Sequence, residues 1–169
     1  MVGASTRSSG RTVTSVIVGD RPLFRRVMVF ALVAPALGTL LYALRVDSVY
    51  SNSVHIAWGV MLFAAVVVAG YAGWHRGALL AGWLGVLIAT LWAYVVTPLV
   101  AHLQGDEFNE RTYGGIRFLM VGYDPMAELE AGLLIGSVIG LLAAIVLGTS
   151  AFATGAVARW LAGRVDGTR

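Results

Sequence analysis

Four stretches of this chain contain no Asp, Glu, Arg or Lys: Val27–Leu44, Ser48–His75, Gly77–Gly105 and Ala131–Ala158. Nothing else in the sequence restricts the fold as strongly. A helix needs about 20 mainly apolar residues to cross about 30 Å of hydrocarbon, and each stretch has or nearly has that length. The composition agrees. Only 12% of the 169 residues are charged and 58% are hydrophobic, whereas a soluble domain carries roughly 25% charged residues. Too little polar surface remains to cover a globule of this size. The expected fold class is an all-α integral membrane protein, a bundle of four transmembrane helices. The spans are placed at about 23–44, 54–74, 79–103 and 125–150 within a transmembrane domain of residues 23–163. A flexible Arg/Ser/Thr-rich tail (1–22), an outer loop (104–124) and a short C-terminal tail (164–169) complete the organisation.

The arginines set the orientation. All twelve basic residues are arginine. Arg7, Arg11, Arg21, Arg25 and Arg26 precede the first span, Arg76 lies between the second and third, and Arg159, Arg164 and Arg169 follow the fourth. Only Arg45, Arg111 and Arg117 fall on the other side. Cytoplasmic loops carry the excess of Arg and Lys, so both termini are expected in the cytoplasm and the acidic loop outside, in the cell membrane. Trp and Tyr favour the two interfaces; Tyr71, Trp74 and Trp160 fall at expected inner ends, and Tyr42, Tyr50 and Trp58 at outer ends. Trp83 and Trp92 lie deeper than such a belt requires. The first apolar run is longer than the 7–15 residues typical of a signal peptide, so the first span is expected to be retained.

Within the N-terminal tail, Thr12–Val18 is a short strand only if a partner supplies an edge; alone it is expected to be disordered, with its neighbouring arginines on anionic headgroups. The first span contains Pro35, which removes one backbone hydrogen bond. The fourth opens with "DPMAELE", where Asp124 suits the N-cap and Pro125 the first helical position. Glu128 and Glu130 complement the positive end of that helix. Its apolar run, about 42 Å as straight helix, is longer than the hydrocarbon core, which predicts tilt or a break near Gly148-Thr149-Ser150 followed by an interfacial helix.

Gly132, Gly136, Gly140, Ala144 and Gly148 recur every four residues along this span. The third span has a weaker counterpart, Gly77, Ala81, Gly85, Ala89, Ala93 and Thr97. Lipid tails are as apolar as leucine, so no hydrophobic force draws helices together; small residues four apart let backbones approach and gain dispersion contacts instead. The stripes therefore predict helix–helix packing, with either a neighbouring span or a second copy as partner.

Chemistry-bearing motifs are scarce. The chain has no cysteine, which excludes disulfides, thiolate metal sites and cysteine nucleophiles. No GxSxG, HExxH or phosphate loop occurs. No span has an ionisable residue near its middle, which argues against a proton-coupled transporter; a passive pathway would have to use backbone carbonyls and hydroxyls such as Thr39, Thr90 and Thr97. The arginines do not cluster with aromatics on a soluble domain, so no nucleic-acid partner is expected. His55 and His102 fall at outer ends of the second and third spans, about 13 Å and about 16 Å from the span midpoints by the helical rise, and Glu128 lies at a similar level. Two imidazoles and a carboxylate suit a divalent metal, and two imidazoles between helices suit a haem. Against that, histidines and acids are ordinary at helix ends, and no metal-ligand spacing is present. The outer loop, with Gly114-Gly115 as a bend and an apolar middle "GGIRFLMVGY", is long enough to be functional.

The expected function is that of a non-enzymatic accessory or assembly protein whose small-residue faces pack on itself or on a membrane partner, without cofactor. The alternative is a membrane redox, haem or metal-binding protein using His55 and His102 with Glu128. Passive transport through an oligomer is a third reading.

Overall fold

In a computed structural model, the structure describes residues 21–44, 53–75, 79–105 and 124–166. The tail strand considered at Thr12–Val18, nearly all of the outer loop and the extreme C-terminus lie outside the described residues. Among the described residues there is no strand. The helices are α1 (Arg21–Ala43), α2 (Ser53–Trp74), α3 (Leu79–Gln104) and α4 (Pro125–Ala143), which continues through a π-helical turn (Ala144–Gly148) into α5 (Thr149–Asp166). Four helices are long and apolar enough to cross a membrane, the last being the continuous helix Pro125–Val165. A helix satisfies its backbone groups within itself, which is why apolar segments of this length take that form in lipid.

The ends follow from local chemistry. The Asp124 side chain accepts hydrogen bonds from the Met126 and Ala127 amides at 3.2 and 3.3 Å, and Pro125 follows at the position where a missing N–H costs nothing. Helix α3 stops at Gly105, whose φ of 68° is a left-handed conformation that glycine adopts without strain. Pro35 lies inside α1.

The bundle is built around α3. Half of α3 is buried, against 6% of the apolar window of α1. Helices α1, α2 and α4 all pack on α3, and α5 packs chiefly on α2. Helix α1 therefore lies on the outside of a three-helix unit. Gly38 on α1 seats it, because a Cβ there would be 2.7 Å from the Met61 methyl and 2.9 Å from the Trp92 ring.

The expected break near Gly148 is not a break. The helix continues through it, with one turn widened to π-helical form. Geometry gives that turn a purpose. Residues four apart drift by about 40° per step in a helix of 3.6 residues per turn, so a stripe with a four-residue period would wind away from a straight neighbour. A π turn holds an extra residue and takes back about 100°. All six positions of the series Glu128, Gly132, Gly136, Gly140, Ala144 and Gly148 stay buried.

Candidate functional site

The small-residue stripe of α4 faces α3 in the same chain. A Cβ at Gly136 would lie 3.0 Å from Cβ of Tyr94 and 3.1 Å from Leu91, one at Gly140 would lie 2.8 Å from Leu87, and one at Gly148 would lie 2.7 Å from Trp83. As the numbers rise on α4 they fall on α3, so the helices run antiparallel. The groove is filled by large side chains. Leu87, Leu91 and Tyr94 enter where the glycines leave room, a knob-into-groove contact rather than two small faces meeting.

The stripe on α3 has a different partner. Ala81, Gly85, Ala89 and Ala93 are buried, but Gly85 lies against Ala65 of α2, its added Cβ 3.6 Å from that side chain. Ala81 packs with Ala72 of α2, while Ala89 joins Ala65 and Ala144 in a cluster reaching both neighbours. The two stripes are thus not counterparts. One face of α3 offers large residues to α4 and the other offers small residues to α2. Gly77 lies outside the described residues.

Two tryptophans deep in α3 cross-link the bundle. Trp92 Nε1 donates to Thr39 Oγ1 on α1 at 2.9 Å, and that hydroxyl donates to the Pro35 carbonyl at 2.8 Å. Trp83 Nε1 donates to Thr149 Oγ1 at 3.0 Å, directly after the π turn. Thr90 is buried and donates to the Val86 carbonyl at 2.9 Å. The position of the two tryptophans deep in α3, which a belt at the helix ends does not explain, follows from their bonds to Thr39 and Thr149. Trp58 Nε1 is buried with no hydrogen-bond partner.

At one end of the bundle stand the histidine and acid candidates. His102, in the last turn of α3, is exposed, whereas Glu128, in the first turn of α4, is 1% exposed. Continuing the antiparallel register past Gly136 and Tyr94 brings Glu128 level with the last turns of α3. The backbone of His55 belongs to the first turn of α2, and its side chain lies outside the described residues. Among the described residues no three His, Cys, Asp or Glu groups come together as a metal cage. At this end Gln104 Nε2 also donates to the Ala43 carbonyl at 2.9 Å, satisfying a terminal carbonyl of α1.

The opposite end carries a contact with little signal in the sequence. Gly155 of α5 meets the Gly70 backbone, and Gly73 of α2 meets the Phe152 backbone, so closely that a Cβ at either glycine would overlap a carbonyl oxygen. One helical turn on, Arg159 Nη1 donates to the carbonyls of Gly73 and Trp74 at 3.0 and 2.8 Å. Those are terminal carbonyls of α2, which have no partner within the helix, and a cation there also complements the helix dipole. Single glycines separated by more than eighty residues form no visible repeat, and Arg159 read from sequence only as a topology signal.

The chain matches no family model, and neither curated proteins nor solved structures give a significant match.

Proposed function

We propose that this chain is a multi-pass membrane protein of accessory or assembly type, with no chemistry of its own and with both termini in the cytoplasm. The observation that carries the reading is how the described interior is used. Its small residues seat neighbouring helices, the Thr39 hydroxyl joins α1 to α3 through Trp92, and the Thr90 hydroxyl is turned back onto the Val86 carbonyl of its own helix. A passive path would need those groups turned towards a pore. The α4 stripe is covered from within the chain by α3, so a partner or second copy is met by other surfaces, above all the exposed apolar faces of α1 and α4. The orientation rests on nine arginines against three. It is supported by the exposed Tyr71, Trp74 and Trp160 at the end that this topology makes cytoplasmic.

The deciding experiment is metal and haem content of the detergent-purified full chain, by elemental analysis with an absorption spectrum. The accessory reading expects a blank. It further expects a defined complex, larger than one chain, on mild-detergent extraction. Near-stoichiometric iron, copper or zinc that disappears in His102→Ala would replace this reading with a cofactor protein using His55, His102 and Glu128. For orientation, Asn109→Cys is expected to react with an impermeant thiol reagent added to intact cells and Ser8→Cys is not; the reverse pattern refutes the topology.

A further inference from the structure

Among the described side chains, helix α1 meets the bundle near its start and again from Gly38 onwards, and it bridges a gap in between. Phe24 packs on the Ala72–Ala81 cluster, and Gly38 is seated against Met61 and Trp92. About 21 Å of helix separates the two. Between them a partly enclosed cavity of about 20 Å³ lies under α1. Ala31, Ala34 and Pro35 of α1, Ala65 of α2, and Gly85 and Ala89 of α3 line it. Where α4 meets α3, by contrast, Leu87, Leu91 and Tyr94 enter the glycine groove and fill it. Here three helices bring small side chains to one level, and the bulkier lining residues of α2, Met61 and Val68, stand about two turns apart. The empty space follows from that coincidence.

The cavity suits neither water nor a polar ligand. A water there would need roughly two to four polar partners, and every lining side chain is apolar. Pro35 frees one backbone acceptor, because it has no N–H for the Ala31 carbonyl four residues back, but a single carbonyl is too few. An apolar guest needs no such partner. Atoms that line a void lack dispersion contacts on one side, and a guest of matching size restores them. Size is then the selective property. About 10–15 Å³ is enough for one water-sized particle, so about 20 Å³ admits one small molecule. It is far short of the roughly 150 Å³ that takes a benzene ring. Ala31 and Ala34 fall midway along α1 (Arg21–Ala43), which places the cavity in hydrocarbon when the bundle spans a bilayer. Small apolar solutes concentrate there rather than in water.

We propose that the cavity beneath α1 is a binding site for one small apolar molecule, of the size of dioxygen or xenon. The guest is held by dispersion alone, between the alanines of α1 on one side and Ala65, Gly85 and Ala89 on the other. The inference goes beyond the accessory reading and does not depend on it, since neither the metal and haem content nor the state of assembly bears on whether the cavity is filled. It depends instead on α1 being docked over Ala65 and Gly85.

Xenon is the probe. The full chain in detergent micelles, isotope-labelled at its alanine methyl groups, is equilibrated with xenon at rising pressure and read by methyl NMR. Helium at the same pressures is the control. Xenon dissolved in the micelle shifts every lipid-facing alanine in proportion to pressure. A site adds a saturable shift, expected at Ala31, Ala65 and Ala89 and not at the exposed Ala153 of α5. Gly85→Ala sets a methyl inside the cavity, 3.6 Å from the Ala65 side chain and so without a clash. It is expected to weaken xenon binding about tenfold. Ala34→Val narrows the space from α1 instead and lowers the affinity as well, so the result does not hang on one variant. Proportional shifts everywhere with no saturable part overturn the proposal, and so does a saturable shift that survives both variants undiminished. A long-lived water detected by its Overhauser contact with the Ala31 or Ala65 methyl also overturns it, because the cavity would then be hydrated.

Discussion

Replacing Gly155 by alanine asks whether α2 and α5 truly meet backbone to backbone. The added methyl would overlap the Gly70 carbonyl oxygen and lie 2.9 Å from its carbon and 3.0 Å from the Trp74 nitrogen. A side chain can rotate away from such a clash; a helix backbone cannot, so the helices must move apart. Extra methyl groups in tight packing cost typically 1–3 kcal/mol, or about 2–3 kcal/mol where nothing can rotate clear. Separation would also draw Arg159 off the carbonyls of Gly73 and Trp74. Against this stands the helix preference of alanine over glycine, about 1 kcal/mol. The net expectation is destabilisation by about 1–2 kcal/mol. Gly59→Ala is the internal control, because nothing lies within 4 Å of its added Cβ; it retains only the propensity gain and is expected to be neutral or stabilising by up to about 1 kcal/mol. Gly136→Ala should fall between them, since its methyl meets the Leu91 methyl at 3.1 Å, which can rotate away, and the Tyr94 Cβ at 3.0 Å, which needs only a small shift of α3. Unfolding in mixed micelles of increasing SDS content, followed by far-ultraviolet circular dichroism, ranks the three variants. If Gly155→Ala proves as stable as Gly59→Ala, the backbone contact is not there.

Other perturbations address other joints. Exchanging Arg159 for methionine is expected to cost about 1 kcal/mol by uncapping α2; faster hydrogen exchange in its last turn would localise the effect, and an unchanged exchange pattern would contradict the cap. A double-mutant cycle on Trp83→Phe and Thr149→Val should show coupling of about 0.6 kcal/mol, and up to about 1.7, in the range of hydrogen bonds between membrane helices; strictly additive losses would mean that this bond contributes nothing. Asp124→Ala removes both side-chain acceptors at the start of α4 and is expected to cost about 1 kcal/mol. Asp124→Asn should recover most of that, and equal losses in the two variants would show that the residue acts otherwise than as a cap.

Much of the architecture is written in the charge pattern. A charged group at the centre of a bilayer is costly, and the gaps between charges mark each long helix, although helix ends extend up to eight residues beyond a gap; Asp124-Pro125 marks the start of α4 by capping chemistry alone. The glycine period marked a buried face but not its neighbour. Small residues reveal only that something comes close; whether a small or a large side chain enters depends on the phase of the other helix. On α3, Trp83, Leu87, Leu91 and Tyr94 carry that phase at spacings of three and four. Beside the alanine series they look like ordinary lipid-facing bulk. The π turn was hidden for a related reason. It corrects an accumulated drift along one helix, and no local composition records an accumulated angle. Of the candidate site, the sequence supplied the levels of His102 and Glu128 along their helices, because rise per residue is fixed. It could not supply their contrast in burial, which depends on how α3 and α4 are rotated about their own axes.

The unequal anchoring of α1 has a consequence of its own. Helices α2, α3, α4 and α5 are joined by glycine-mediated backbone approach, by filled grooves and by the Arg159 cap. Among the described side chains, helix α1 is held by the Gly38 seat under Trp92, by the Trp92–Thr39 hydrogen bond, by the Gln104 side chain on the Ala43 carbonyl and, near its start, by Phe24 on the Ala72–Ala81 cluster. Two of these run through Trp92. Replacing it by phenylalanine keeps most of the ring surface but deletes the donor to Thr39, and Gln104→Ala removes the remaining polar tether. Each hydrogen bond between membrane helices is worth about 0.6 kcal/mol, so the double change removes about 1.2 kcal/mol, a roughly eightfold shift, from the docking of α1 alone. The ring also belongs to a cluster with Ala57, Trp58 and Met61 of α2, which phenylalanine largely keeps, and the glycine contacts of α4 with α3 and of α5 with α2 are untouched. Amides of α1 should then exchange faster while those around Gly136, Gly140 and Gly155 stay protected. Equal acceleration in all helices would mean that the bundle opens as one body and that α1 is not a separately docked element.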